Sequence, residues 1–148
     1  MKISLISPRD ERVLGFIREL DKFQAGLYPA ESNHLDDIET LIRPNVYFVG
    51  ASRNNELMGI GAVKRFEDYG EIKRMYVPER YRGLHIGQKI LQALEAHLKE
   101  VDIHMIRLET GIRQIPAIRL YEKMGFLPCP PFGKYKQDPL SLFMEKRV

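Results

Sequence analysis

The stretch EIKRMYVPERYRGLHIGQKILQALEAHLK, Glu71 to Lys99, reads as a strand, a basic glycine-containing loop and a helix. Apolar or large residues fill Ile72 to Val77, and Pro78 ends the strand because it has no N–H to give to a ladder. Arg80-Tyr81-Arg82-Gly83-Leu84-His85-Ile86-Gly87 follows. Ile86, Ile90, Leu91, Leu94 and Leu98 then recur at helical spacing, with Gln88, Lys89, Gln92, Glu95 and Lys99 on the opposite face. The loop therefore delivers the chain into a helix N-terminus. A helix's first turn carries N–H groups without partners and the positive end of the peptide dipoles, which suits phosphate. Gly83 and Gly87 let a ligand come close to the backbone, and Arg80 and Arg82 add charge. The plainer reading is an ordinary strand–helix connection with surface arginines.

Upstream, Val46–Ala51 and Leu57–Phe66 read as strands joined by the turn Arg53-Asn54-Asn55-Glu56. Gly59 and Gly61 share one face of the second strand, which suggests close backbone approach or a bulge. Glu67-Asp68-Tyr69-Gly70 turns the chain into the strand quoted above, so three consecutive strands run antiparallel. A short strand, Lys2–Ile6, opens the chain. Ser7 as cap and Pro8 at the first helical position start a helix. Its buried face is Val13, Leu14, Ile17 and Leu20, and it ends near Phe23 to Gly26. A loop, Leu27 to Leu35, leads to a second helix capped by Asn33 or Ser32, with Leu35, Ile38, Leu41 and Ile42 inward and Pro44 as its stop.

Downstream, Ile103–Glu109 is a strand and Ile115–Met124 a helix closed by Gly125. Ala117, Leu120, Tyr121 and Met124 share a face of that helix. Phe126 begins an extended piece, Pro128, Pro130 and Pro131 stiffen a loop, and Leu140 to Glu145 alternate as a last strand. No repeat or low-complexity linker interrupts the chain. Residues 1–148 read as one domain of the α/β (α+β) class.

Composition narrows the function. The chain has 148 residues, 44% apolar and 29% charged, which is enough to bury a core. No signal-peptide pattern opens it and no apolar run is long enough for a bilayer, so no membrane partner is expected. Cys129 is the single cysteine, which excludes an internal disulfide and points to a reducing, cytoplasmic home. A net charge of +3 suits a small anionic ligand as well as nucleic acid. No Walker loop, dinucleotide GxGxxG, CxxC, HExxH or GxSxG is present, so no metal is expected.

YRGLHIGQKIL, followed about thirty residues later by AIRLYEKMGF, resembles the GCN5-related N-acetyltransferase (GNAT) family. The family pattern is Arg or Gln, two residues, Gly, one residue, then Gly or Ala. Here Arg82 stands first, His85 replaces the middle glycine and Gly87 stands last. The order of elements from Lys2 to the C-terminus also fits. LYPAESNHLDD, from Leu27, resembles a bacterial subgroup often labelled as indole-acetate acetyltransferases.

The resemblance implies the acyl-CoA N-acyltransferase fold: a mixed, mostly antiparallel central sheet with splayed strands, flanked by helices. It implies acetyl-CoA as cosubstrate and an amine of a small molecule or peptide as acceptor. It lays pantetheine along the backbone of Met75, Tyr76 and Val77, and the pyrophosphate against the amides from Arg82 through Gly83, Leu84, His85, Ile86 and Gly87 to Gln88. Many members carry Asn three residues before the position of Ala117, where this chain has Gln114. Gln114 and Ala117 join the cofactor-binding set on that basis, Gln114 as a longer amide able to make the same bond. Tyr121 matches the family tyrosine that protonates the departing thiolate, as a phenol of ordinary acidity. A backbone N–H near Met75 or Tyr76 stabilises the oxyanion.

The base is read from position. Glu71 begins the central strand and alternates with Lys73 and Met75, and Glu109 ends the neighbouring strand. Either carboxylate, or a water held by one, can serve, and Glu71 is placed first. Tyr28, Glu31, His34 and Glu109 are the expected acceptor-binding residues, with the loop carrying Phe132 and Tyr135 closing the other side. His85 is expected to restrict positive φ in the loop. Two rival classes stand beside the enzyme: an acyl-CoA-binding regulator that lost turnover, and a nucleic-acid binder using Lys73, Arg74, Arg80, Arg82 and Lys89. A homodimer is an option that the family leaves open.

Overall fold

Asn54 and Asn55 both take positive φ, 52° and 64°, and so make the two-residue turn that right-twisted strands favour. That turn joins β2 (Val46–Arg53) to β3 (Glu56–Arg65). The computed structural model describes residues 1–30 and 36–148. Within them lie β1 (Lys2–Leu5), β4 (Gly70–Tyr76), β5 (Met105–Gly111), β6 (Leu127–Pro128) and β7 (Ser141–Arg147). The helices are α1 (Glu11–Leu27), α2 (Ile38–Leu41), α3 (Ile86–Glu100) and α4 (Ile115–Lys123). The strands form one sheet in the order β1-β2-β3-β4-β5-β7-β6.

Every neighbouring pair is antiparallel except β4 and β5. Those two run parallel and pair only at Gly70–Ile106 and Glu71–Arg107. Beyond that point β4 continues to Tyr76 and β5 to Gly111 without pairing to each other. The sheet therefore opens into a V at the carboxyl ends of its two central strands.

A bulge aims β4 into the opening. Ile60 pairs with Tyr76 and Ala62 with Lys73, so Arg74 and Met75 together oppose Gly61. Arg74 takes a φ of 51°, and tertiary bonds hold it there. Its guanidinium pairs with Asp21 of α1, and its Nε and Nη2 donate to the Asp36 carbonyl at 3.2 and 2.6 Å. Bulges of this kind bend a strand and re-aim its groups.

Two cores sandwich the sheet. Ile86, Ile90, Leu91, Leu94 and Leu98 of α3 join Tyr121 of α4 over one face. Val13, Phe16 and Ile17 of α1 and Leu41 of α2 cover Phe48, Ile60 and Ala62 on the other. The paired glycines of β3 are what let α3 lie so close. A Cβ at Gly59 would stand 2.8 Å from Ile86 Cγ2, and one at Gly61 2.6 Å from Ile90 Cγ2. Gly61→Ala should therefore cost about 1–3 kcal/mol in urea unfolding, because Ile90 is branched and packed on all sides. An unchanged midpoint would show that α3 backs away freely.

Helix starts differ from the expectation. Ser7 through Asp10 form a turn, with the Asp10 N–H donating to the Ser7 carbonyl at 3.0 Å. Pro8 lies in that turn, and Asp10 is the cap, accepting from the Arg12 N–H at 2.9 Å. α2 is capped by Asp37, which accepts from the Thr40 N–H at 2.9 Å. The proposed caps Ser32 and Asn33 lie outside the described residues. In β7, Phe143 and Met144 are both buried, because helices cover one face and the proline-stiffened loop covers the other.

Candidate active site

The loop before α3 reaches the helix through two left-handed residues, Gly83 at φ 86° and His85 at φ 59°. The expectation that His85 restricts the loop fails. An imidazole on an unbranched Cβ enters this region more readily than a bulky branched side chain does. No side chain caps the helix. Its backbone bonding begins with the Lys89 N–H donating to the His85 carbonyl at 3.1 Å, so the amides of Ile86, Gly87 and Gln88 precede the first such bond.

Those amides open on a cleft of about 360 Å³ that runs along the splayed edge of β4. Met75, Tyr76 and Val77 line it from the strand, and Arg82, Gly83, His85, Ile86, Gly87 and Gln88 line it from the loop and α3. Gln114, Ala117 and Tyr121 line it from α4. Leu84 does not; its side chain is 44% exposed. Leu20 and Phe23 of α1, Arg113 before α4 and Lys123 at its end also line the cleft; periodicity placed Leu20 on an inward face but assigned none of the four to a site. A Cβ at Gly87 would sit 2.8 Å from Leu120 Cδ2, so this glycine lets the cleft floor close tightly. Gln114 Oε1 turns back to accept from the Gly111 N–H at 2.9 Å, so its amide oxygen finishes β5 rather than facing a ligand.

A smaller, more polar pocket continues from the cleft, sharing Leu20, Met75, Gln114, Ala117 and Tyr121 with it. Tyr28, Glu71 and Glu109 line this pocket, and so do Asp36, Lys73 and Tyr135. Glu71 is 4% exposed. Its Oε2 accepts from the Tyr135 hydroxyl and lies 3.0 Å from Lys73 Nζ. Lys73 also donates to the Tyr135 oxygen at 3.1 Å and stands 3.5 Å from Asp36 Oδ2. Phe132 and Phe143 pack edge-on or tilted against the Tyr135 ring, at 5.2 and 5.5 Å between centroids. That aromatic cluster fixes the loop that carries Tyr135.

Three tyrosines are held protonated here. Burial, then the charge of Glu109, pushes the Tyr121 phenol well above its ordinary range. This corrects the expectation of an unperturbed acid. Burial and then Glu71 do the same to Tyr135. Burial also raises Tyr28, whose hydroxyl accepts from the Arg113 N–H at 3.0 Å. Tyr28 thus shapes the wall with its ring. Glu109 accepts from the Ser141 hydroxyl at 2.7 Å. The expected acceptor residues Glu31 and His34 lie outside the described residues.

With this geometry in view, the chain compares as follows with known proteins. Residues 13–126 match the model of the acetyltransferase (GNAT) family. The chain belongs to that family. The IAA acetyltransferase of Azospirillum brasilense is 44% identical over 142 residues, covering 95% of this chain and 93% of the relative. A Klebsiella pneumoniae structure described as an acyl-CoA N-acyltransferase superposes with a TM-score of 0.87 at 38% identity, covering 99% of this chain and 96% of that one. The PaiA N-acetyltransferase of Thermoplasma acidophilum, solved with coenzyme A, shares the fold with a TM-score of 0.77 at 24% identity, covering 99% and 98%.

The GNAT architecture gives the open V and the uncapped helix their sense. This acetyltransferase carries acetyl from acetyl-CoA to an amine. Among the described residues no helix is long and apolar enough to cross a membrane. Asp36, Lys73 and Tyr135 were not among the predicted site residues, although the loop bearing Tyr135 was expected to close the pocket. They come from separate segments, and only the folded sheet brings them together.

Proposed function

We propose that the cleft holds CoA with its diphosphate at the α3 amides and its thioester at the junction beside Met75 and Tyr121, and that the polar pocket holds a primary amine. The observation that carries this reading is the continuity of the two compartments where β4 and β5 part from each other. Arg82, the Gly83 amide and the amides from His85 to Gln88 take the phosphates, through charge-assisted bonds roughly twice as strong as neutral ones. Met75, Tyr76 and Val77 give the pantetheine arm an unpaired strand edge. A backbone N–H at the bulge, from Met75 or Tyr76, steadies the oxygen that gains charge, a contribution typically of about 3 kcal/mol. Glu71 takes the proton of the entering ammonium. The amine nitrogen bonds to the acetyl carbon, the carbon–sulfur bond breaks, the surplus proton of that nitrogen passes to the departing sulfur to give the free thiol, and Tyr121 donates a hydrogen bond to the sulfur as it leaves.

The pocket is rich in carboxylates, and that favours a cationic amine for this chain. One cysteine and no membrane-crossing helix among the described residues support a cytoplasmic enzyme. The reading is tested by following free thiol from acetyl-CoA across alkylamines, aminoglycosides, amino acids and peptide N-termini, with calorimetry for CoA. CoA should bind with micromolar affinity, in the usual range for a cosubstrate, and at least one amine class should release thiol. CoA binding without turnover on any class would favour the regulator instead.

A further inference from the structure

Asp36 meets two cations that other groups already hold, Arg74 at its backbone carbonyl and Lys73 at its carboxylate. Arg74 is paired with Asp21 and spends Nε and Nη2 on the Asp36 backbone carbonyl. Lys73 is paired with Glu71 at 3.0 Å and donates to the Tyr135 hydroxyl at 3.1 Å. The Asp36 carboxylate keeps only a long contact, 3.5 Å, to that same ammonium. Its Oδ2 is buried and has no hydrogen-bond partner among the described residues. Asp36 lines the polar pocket and is absent from the lining of the cofactor cleft. A buried oxygen without a hydrogen bond carries a desolvation cost, which the long Lys73 contact offsets only in part among the described residues. An N–H of a bound molecule would remove it.

The charges point the same way. Asp36, Glu71 and Glu109 line the pocket with Lys73 and Arg74, and Asp21 pairs with Arg74 from outside it, so negative charges outnumber positive ones. An ammonium offsets part of that excess. Both cations are already engaged by carboxylates, so neither is left over to receive a carboxylate from the acceptor.

We propose that Asp36 docks the acceptor's ammonium, and that the pocket takes an alkylamine with no carboxylate on the amine-bearing carbon, rather than an α-amino acid. This rests on the acetyl-transfer reading above and deepens it. Asp36 and Glu71 then grip the ammonium from either side of Lys73, and Glu71 receives its proton.

n-Butylamine and norvaline provide the test, because they differ only by the α-carboxylate. Thiol release from acetyl-CoA is measured for both with wild-type protein, Asp36→Asn and Asp36→Ser, and CoA is titrated into each. Wild type should turn over butylamine with kcat/KM at least about tenfold above norvaline, the scale of one misplaced charge at an interface. Both variants should raise KM for butylamine about tenfold or more while CoA affinity stays unchanged, as for loss of a charge-assisted contact. Equal use of norvaline by wild type overturns the proposal without needing either variant to fold. So does an unchanged KM in a folded variant, or a protein that binds CoA and acetylates neither amine. A wild-type chain that fails to bind CoA would instead remove the acetyltransferase reading, and this proposal with it.

Discussion

Glu71→Gln should lower kcat/KM for an amine acceptor by about 10²- to 10⁴-fold at neutral pH, the usual contribution of a positioned base. The acceptor enters as an ammonium with a pKa near 10, and nitrogen cannot attack until that proton leaves. Gln keeps an oxygen that can accept from Tyr135 and Lys73, the bonds Glu71 makes now. Asp36 remains within 3.5 Å to accompany the Lys73 charge. The variant should therefore fold, with a stability loss of about 1–3 kcal/mol. Its CoA affinity should be unchanged, since Glu71 does not line the cofactor cleft. The pH profile separates a base from a merely structural carboxylate. As pH rises toward the amine's own pKa, more acceptor arrives already neutral, and the gap between variant and wild type should narrow. A gap that holds constant from pH 7 to about pH 9.5 would sink the base role. Glu109→Gln is the comparison. Glu109 lies on β5 two residues before its end and accepts from Ser141, and its loss should cost less than about tenfold, in the range of a neighbouring charge.

Periodicity carried most of the fold, and tertiary bonds decided the rest. The three antiparallel strands, the loop and α3 were legible because apolar residues repeat at two and then at about 3.6, with Pro78 and Gly83 marking the changes. The close seat of α3 was legible too, in the spacing of Gly59 and Gly61. The bulge at Arg74 was not. An arginine at positive φ has no local signature, and it is held by Asp21, fifty-three positions earlier, and by the Asp36 carbonyl. The same applies to the polar pocket. Glu71 showed its place by alternating with Met75, but its partner Tyr135 stands sixty-four positions later on a loop. Ser7 misled because it has the chemistry of a cap. Asp10 has the same chemistry, and the turn through Pro8 gives it the place. The raised acidity limit of Tyr121 follows from burial at 5% exposure, and helical spacing shows the face a residue occupies, not how completely water is removed from it.

Tyr121→Phe should reduce kcat by about 10- to 100-fold with KM for acetyl-CoA little changed. The magnitude follows from what a buried, reluctant phenol can give. Burial and Glu109 hold Tyr121 above the ordinary phenol range, so it is protonated at every working pH. A thiol loses its proton near 8.5, and full transfer from this phenol to the leaving sulfur runs uphill. What Tyr121 offers is a hydrogen bond to a sulfur that is gaining charge, worth about 1.5–3 kcal/mol. Phenylalanine keeps the ring in its edge-on contact with Phe126, at 5.6 Å between centroids, so the packing of α4 should survive. The leaving group tells donation from packing. With an acetyl thioester of a more acidic thiol, the departing sulfur needs less help and the defect should shrink. A defect of the same size with both thioesters would assign Tyr121 to the core alone. Because the phenol does not titrate in the working range, the wild-type and variant pH profiles should run parallel. An alkaline limb present only in wild type would contradict the burial argument itself.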